Sequence, residues 1–193
     1  MKRICVFCGS NSGSDPIYAK TAETVGAFLA KNNIELVYGG GRVGLMGAIA
    51  DTVLAGGGTV IGVIPESLAI KEVAHQNTTE LHIVDSMHER KALMAEFADG
   101  FIALPGGFGT FEEFCEIVTW AQLGIHRKPC ALLNVGGFYD NLIAMFDFSA
   151  SQNFMRAEHR ELVLIENDIE KLYELMVNYR PPFIEKWLDK KSA

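Results

Sequence analysis

Two adjacent carboxylates, Glu112 and Glu113, close the stretch Leu104-Pro105-Gly106-Gly107-Phe108-Gly109-Thr110-Phe111-Glu112-Glu113. A buried-type apolar run ends at Leu104, glycines then free the backbone, and the pattern predicts a helix beginning near Thr110. N–H groups exposed at such a helix start, with the positive end of the helix dipole behind them, make an anion site. The Gly-Lys-Ser/Thr signature of a nucleoside-triphosphatase loop is missing, so a monophosphate suits this loop better than a triphosphate. Thr110-x-x-Glu113 also has the form of a capping box. Two carboxylates beside a phosphate nevertheless repel it, and that cost favours a catalytic role for one of them over simple capping.

A second cluster is Ser86-Met87-His88-Glu89-Arg90-Lys91. Ser86-x-x-Glu89 is a capping box and needs no further role. Arg90 and Lys91 are different, because cations in the first turns of a helix oppose its dipole; an anionic ligand would supply the compensation. A third stretch, Tyr38-Gly39-Gly40-Gly41-Arg42-Val43-Gly44-Leu45-Met46-Gly47, contains G-x-G-x-x-G between a strand and a helix, with Glu66 after the next strand as a possible ribose-binding acid. That is formally a dinucleotide fingerprint, but the glycines equally serve a tight turn and close helix packing. Gly56-Gly57-Gly58 follows a helix rather than a strand and reads as a C-terminal cap and turn.

Other chemistries drop out. The histidines His75, His82, His88, His126 and His159 form no metal-ligand spacing, so no metal is expected. No G-x-S-x-G nucleophile elbow occurs. Cys5 and Cys8 form C-x-x-C on a β-type run, where three-residue spacing sends them to opposite faces; with Cys115 and Cys130 they are too few and too spread for a disulfide framework. They read as small core residues.

These groups must be positioned by alternating elements. Strands are predicted at Arg3–Cys8, Glu35–Tyr38, Thr59–Ile64, Leu81–Val84, Gly100–Leu104, Cys130–Asn134 and Leu162–Ile165. Helices are predicted near Pro16–Lys31, Leu45–Ala55, Met87–Ala98, Phe111–Leu123, Tyr139–Ser149 and Ile169–Tyr179, with Gly124 as a stop signal. Most of the strands are continuously apolar, as strands buried on both faces are. The expectation is an α/β fold: a doubly wound parallel sheet with helices on both faces, residues 1–193 forming a single domain. At 193 residues, 49% hydrophobic and 21% charged, wholesale disorder is excluded. A net charge of −7 argues against duplex nucleic acid as partner. No apolar run approaches the roughly 20 residues of a membrane span, and Ile4–Cys8 is shorter than a signal-peptide core of roughly 7–15 residues. A cytoplasmic location is expected.

In combination, Cys8-Gly9-Ser10, the Gly39–Gly47 loop, Met87-His88-Glu89-Arg90-Lys91 and Pro105-Gly106-Gly107-x-Gly109-Thr110-x-x-Glu113 resemble the LONELY GUY family in type and order. The likeness continues through Asn134–Asp140 and Arg156-Ala157-Glu158-His159-Arg160; Phe108 and Phe111 occupy positions that the family varies. Members are cytokinin riboside 5′-monophosphate phosphoribohydrolases, many of them labelled possible lysine decarboxylases. The resemblance implies a Rossmann-like homodimer that hydrolyses the N-glycosidic bond of a nucleoside 5′-monophosphate to ribose 5-phosphate and adenine or an N6-substituted adenine. It assigns Arg90 and Glu113 as the catalytic pair and the loop Gly107–Thr110, with Gly109, to the phosphate cradle, and makes Gly106 a substrate-binding position. Glu72, Lys91, Glu112 and Thr119 become further substrate contacts, with a site near the Glu112–Thr119 helix completed by the second subunit. No cofactor is implied. Pyridoxal phosphate would need a Schiff-base lysine, and Lys91, beside Arg90, is better explained by a phosphate. The rival is a nucleotide- or molybdenum-cofactor carrier, which has no need of the Arg90–Glu113 pair. The aromatics Phe108, Phe111, Phe114 and Trp120 make their helix a candidate dimer surface, although core packing explains aromatics equally well.

Overall fold

The computed structural model describes residues 1–69 and 74–182. Apolar β-branched runs give strands β1 (Arg3–Phe7), β2 (Glu35–Tyr38), β3 (Val60–Pro65), β4 (Glu80–Val84), β5 (Gly100–Ala103), β6 (Cys130–Leu133) and β7 (Val163–Glu166). Interleaved with them are α1 (Pro16–Lys31), α2 (Gly44–Ala55), a single turn α3 (Glu66–Leu68), α4 (Met87–Phe97), α5 (Phe108–Gln122), α6 (Asp140–Ser151), the short α7 (Ala157–Arg160) and α8 (Ile169–Asn178). All strand pairs are parallel, in the order β4-β3-β2-β1-β5-β6-β7.

Both faces of the sheet are buried. Ile4 and Val6 join a core with α1, α2 and α8; Cys5 and Phe7 face the opposite core with α4 and α5. This is why the central strands read as uninterrupted apolar runs instead of alternating. Cys5 and Cys8 lie in opposite cores as free thiols. Burial raises both thiol pKa values, which makes them poor nucleophiles.

Successive strands are added to one side of β1 up to β4 and to its other side from β5 on, so the crevice beyond the C-terminal ends of β1 and β5 is the switch point where doubly wound sheets hold ligands. Local stops behave as their residues dictate. Gly124 ends α5 at φ 76°, with its N–H on Ala121 O and the Ile125 N–H on Trp120 O, a full Schellman cap. Ser86 caps α4 by accepting from Glu89 N–H, while the Glu89 carboxylate accepts from Asp85 N–H.

Most strand and helix ends shift by a residue or two, and the short α3 and α7 were not expected; one shift changes the site. Helix α5 begins at Phe108 with Gly107 as its N-cap, not near Thr110. Thr110 is therefore a third-position residue inside the helix, and the Thr110–Glu113 capping box does not form.

Candidate active site

Three elements converge on the switch-point crevice. The loop after β1 brings Gly9 and Ser10, α4 brings Arg90, and the start of α5 brings Gly107 through Thr110 and Glu113. Together with Cys8, Met46 and Leu68 they line a cleft of about 290 Å³. An adjoining hollow of about 300 Å³ shares Gly9, Ser10 and Gly107 and adds Gly106, Tyr18 and Phe138.

The cleft wall is electrostatically built. Arg90 and Glu113 are 8% and 9% exposed, and Arg90 Nη1 donates to Glu113 Oε1 at 2.8 Å. Two further donors of Arg90 go to backbone: Nε to Val63 O at 3.1 Å and Nη2 to Gly39 O at 3.3 Å. Gly39 must be glycine for this, because a Cβ there would lie 1.9 Å from Arg90 Nη2. Burial pushes the Glu113 carboxyl above its ordinary value; Arg90 pulls it down and Glu112 pushes it up again.

Lys91 sits behind this pair, held between the carboxylates of Glu112 and Glu116, the latter at 3.0 Å. Burial alone would lower its ammonium pKa, but these hydrogen bonds hold it above the usual value. The compensation expected from an anionic ligand for Arg90 and Lys91 is thus supplied within the chain, by carboxylates of α5. The same contacts neutralise part of the carboxylate charge expected to repel a phosphate beside Glu112 and Glu113.

The start of α5 carries no side-chain cap. Its first intrahelical bond runs from Phe111 N–H to Gly107 O, leaving the N–H groups of Phe108, Gly109 and Thr110 as the unpaired donors of the first turn. No atom lies within 4 Å of where a Cβ would stand on Gly107 or Gly109, so the backbone there is open to a ligand. Gly106 is the opposite case: a Cβ would meet Thr110 Oγ1 at 2.1 Å and Gly9 N at 2.9 Å. Gly106→Ala should therefore spread the crevice and weaken nucleotide binding at least tenfold, about 1.4 kcal/mol, while Gly107→Ala should fold normally. Calorimetric titration with a nucleoside monophosphate, alongside thermal melts, separates the two. The loop is also anchored from below, since Tyr139 hydroxyl donates to Leu104 O at 2.6 Å and Tyr139 N–H is held by Asn134 Oδ1.

Of the residues singled out in the sequence, Arg90, Glu113, Gly107, Gly109 and Thr110 meet in one cleft, with Gly106 in the adjoining hollow. Lys91 and Glu112 pair with each other one layer away. Thr119 is not brought to the cleft: it lines a separate hollow of about 210 Å³ with Cys115, Phe146, Met155, His159 and Arg160. Glu72 lies outside the described residues. Glu66 is exposed, at the turn after β3. Sequence reasoning did not name Gly9, Ser10, Met46 or Leu68 as site residues, although Gly9 and Ser10 follow β1 at the switch point and were findable from that rule. The aromatics divide: Phe114 is core, Phe111 packs on Phe138 and Tyr139, Trp120 packs against the core, and Phe108 is 92% exposed at the cleft mouth.

Residues 46–176 match the family model described as possible lysine decarboxylase. The chain is 51% identical over 170 residues to the cytokinin riboside 5′-monophosphate phosphoribohydrolase of Rhodococcoides fascians, covering 88% of this chain and 86% of that protein. It is 47% identical over 184 residues to a cytokinin riboside 5′-monophosphate phosphoribohydrolase of Arabidopsis thaliana, covering 95% and 85%. The chain belongs to the LONELY GUY family. Its fold is shared more widely. The molybdenum cofactor binding protein of Rippkaea orientalis superposes with a TM-score of 0.69 at 22% identity, over 92% of this chain and 97% of that one. The molybdenum cofactor carrier protein of Chlamydomonas reinhardtii gives 0.67 at 18%, over 92% and 98%.

The decarboxylase description does not fit this LONELY GUY cleft as a pyridoxal site. Among the described residues no lysine lines it, and Lys71 lies outside them. Lys91 is held by two carboxylates, and Lys128 Nζ donates to Ala95 O.

Proposed function

We propose that this protein hydrolyses the N-glycosidic bond of a cytokinin riboside 5′-monophosphate, releasing the free base and ribose 5-phosphate, and that AMP is a substrate of the same kind. The observation that carries this reading is the buried Arg90–Glu113 pair facing the cleft whose other wall is the uncapped start of α5.

Departure of the base leaves positive charge on C1′ and the ring oxygen, the oxocarbenium-like problem that glycosidases answer with carboxylates. With the 5′-phosphate on the N–H groups of Phe108, Gly109 and Thr110, Glu113 stands one turn further along the same helix. Its carboxylate stabilises the ribosyl cation or takes a proton from the attacking water. Arg90 holds that carboxylate in place, and its guanidinium stabilises negative charge on the leaving base or clamps the substrate. Lys91, Glu112 and Thr119 act less directly, the first two by setting the field around Glu113.

We place the protein in the cytoplasm, which suits four free cysteines with three of them buried. The working unit is a homodimer of single-domain chains with sites near the subunit interface. Support comes from α6 and the turn after it, which expose Met145, Phe148 and Phe154 at 58%, 60% and 92% and whose Phe146 and Met155 line the hollow that holds Thr119.

The test is to incubate the protein with AMP and with isopentenyladenosine monophosphate and follow base release chromatographically. Release of adenine or isopentenyladenine together with ribose 5-phosphate is expected. Tight nucleotide binding without release would instead make the protein a carrier.

A further inference from the structure

His75 plays no part in the site as described, yet all four of its polar groups are used. Its backbone N–H donates to Gly40 O at 2.8 Å, and its carbonyl accepts from Thr78 Oγ1 at 3.2 Å. Its ring is buried, 5% exposed for the residue as a whole. Nδ1 accepts from Asn77 N–H at 3.3 Å, so the ring proton lies on Nε2, which reaches Asp51 Oδ1 of α2 at 2.9 Å. A buried imidazole with both nitrogens fixed holds one orientation. The neighbouring Ala74 adds an antiparallel bridge to Gly41.

What this clamp holds is the Gly39–Gly41 loop, and Gly39 O is one of the three acceptors that orient Arg90. We infer that His75, braced by Asp51, is a positioning residue for Arg90: it fixes the glycine loop whose carbonyl holds the guanidinium against Glu113. The inference rests on the proposed hydrolysis for its kinetic consequence, but not for its structural one. The phosphate cradle stands on α5, a different element, so loosening the loop should disturb chemistry more than binding.

The test compares Asp51→Ala, Asp51→Asn and His75→Ala in the full-length protein. Asp51→Ala removes the acceptor for Nε2–H, whereas Asp51→Asn retains one. Expected is a fall in kcat of between about tenfold and a hundredfold for His75→Ala, a smaller fall for Asp51→Ala, recovery of most of it in Asp51→Asn, and a KM for the nucleotide that stays nearly constant. In parallel, the Arg90 Nη2–H resonances, assigned by their loss in an Arg90→Lys control, should exchange with solvent at least tenfold faster in Asp51→Ala and His75→Ala than in the parent, because Nη2 is the group that Gly39 O holds. Variants that melt earlier but keep both kcat and the slow Arg90 exchange would overturn the inference and leave His75 a purely structural pin. If the parent protein releases no base at all, the exchange measurement still decides the positioning role while the hydrolase reading fails separately. Should His75→Ala not fold, the Asp51 pair carries the comparison.

Discussion

Glu113→Gln should reduce base release by about 10²–10⁴-fold, the range over which a positioned acid–base or charge-stabilising group contributes, while nucleotide binding by calorimetry stays close to that of the parent. The substitution suits the question because the amide oxygen can still accept the Arg90 Nη1 hydrogen bond now made at 2.8 Å; what disappears is the negative charge. Comparable turnover in parent and variant would reduce Glu113 to a structural partner of Arg90. Loss of binding together with turnover would place the carboxylate in substrate capture instead.

Arg90→Met should have two linked effects. Removing one partner of a buried ion pair leaves the other charge unpaired, at a cost of about 3–5 kcal/mol, so the variant should melt well below the parent. Glu113→Gln in the same chain should recover much of that loss, because a neutral amide needs no counter-charge. The second effect is on pH. Burial already sets the Glu113 carboxyl above the usual glutamate value, with Arg90 opposing. Catalysis needs it ionised, so activity should rise with pH through that raised pKa, and the acid limb of kcat/KM should lie above that of an exposed glutamate. Taking away Arg90 removes a lowering influence, so residual activity should need a still higher pH. An acid limb that stays in place in Arg90→Met would show that the limb belongs to another group.

The architecture was legible in the sequence because the sheet is buried on both faces. Runs such as Ile4–Phe7 and Gly100–Ala103 are apolar without interruption, and helices such as α1 and α8 bury residues at helical spacing (Ala22, Val25 and Leu29; Ile169, Leu172 and Met176), so element type and order followed from periodicity. What misled was local chemistry in the glycine loop. Gly107-Phe108-Gly109 looks like chain outside a helix, and Thr110-x-x-Glu113 has the spacing of a cap, yet the helix starts at Phe108 with no side-chain cap. The carboxylate a capping box would use is spent on Arg90, from another helix. That pairing and Lys91's pairing with Glu112 and Glu116 join α4 to α5 across the sequence, and nothing in the local spacing announces who satisfies whom. The clamp at His75 was invisible for the same reason: Asp51 lies on α2, and a lone histidine in a polar stretch has no period to betray it.

The strand order also bears on how the chain is made. β1 pairs with β2 on one side and with β5 on the other, where Ile4 meets Gly100. A ribosome delivers β1 through β4, and α4 with Arg90, before β5 and α5 exist. Chains fold from the N-terminal end as they emerge, and long-range strand pairing is the slow step. Until α5 arrives, the early half offers the Arg90 guanidinium the Val63 and Gly39 carbonyls but not the Glu113 carboxylate. The crevice lies along that seam between the early and late halves, so the reactive centre cannot exist until α5 has been made. A nascent or C-terminally truncated chain lacking α5 can build its first four strands and still have nowhere to hold a nucleotide.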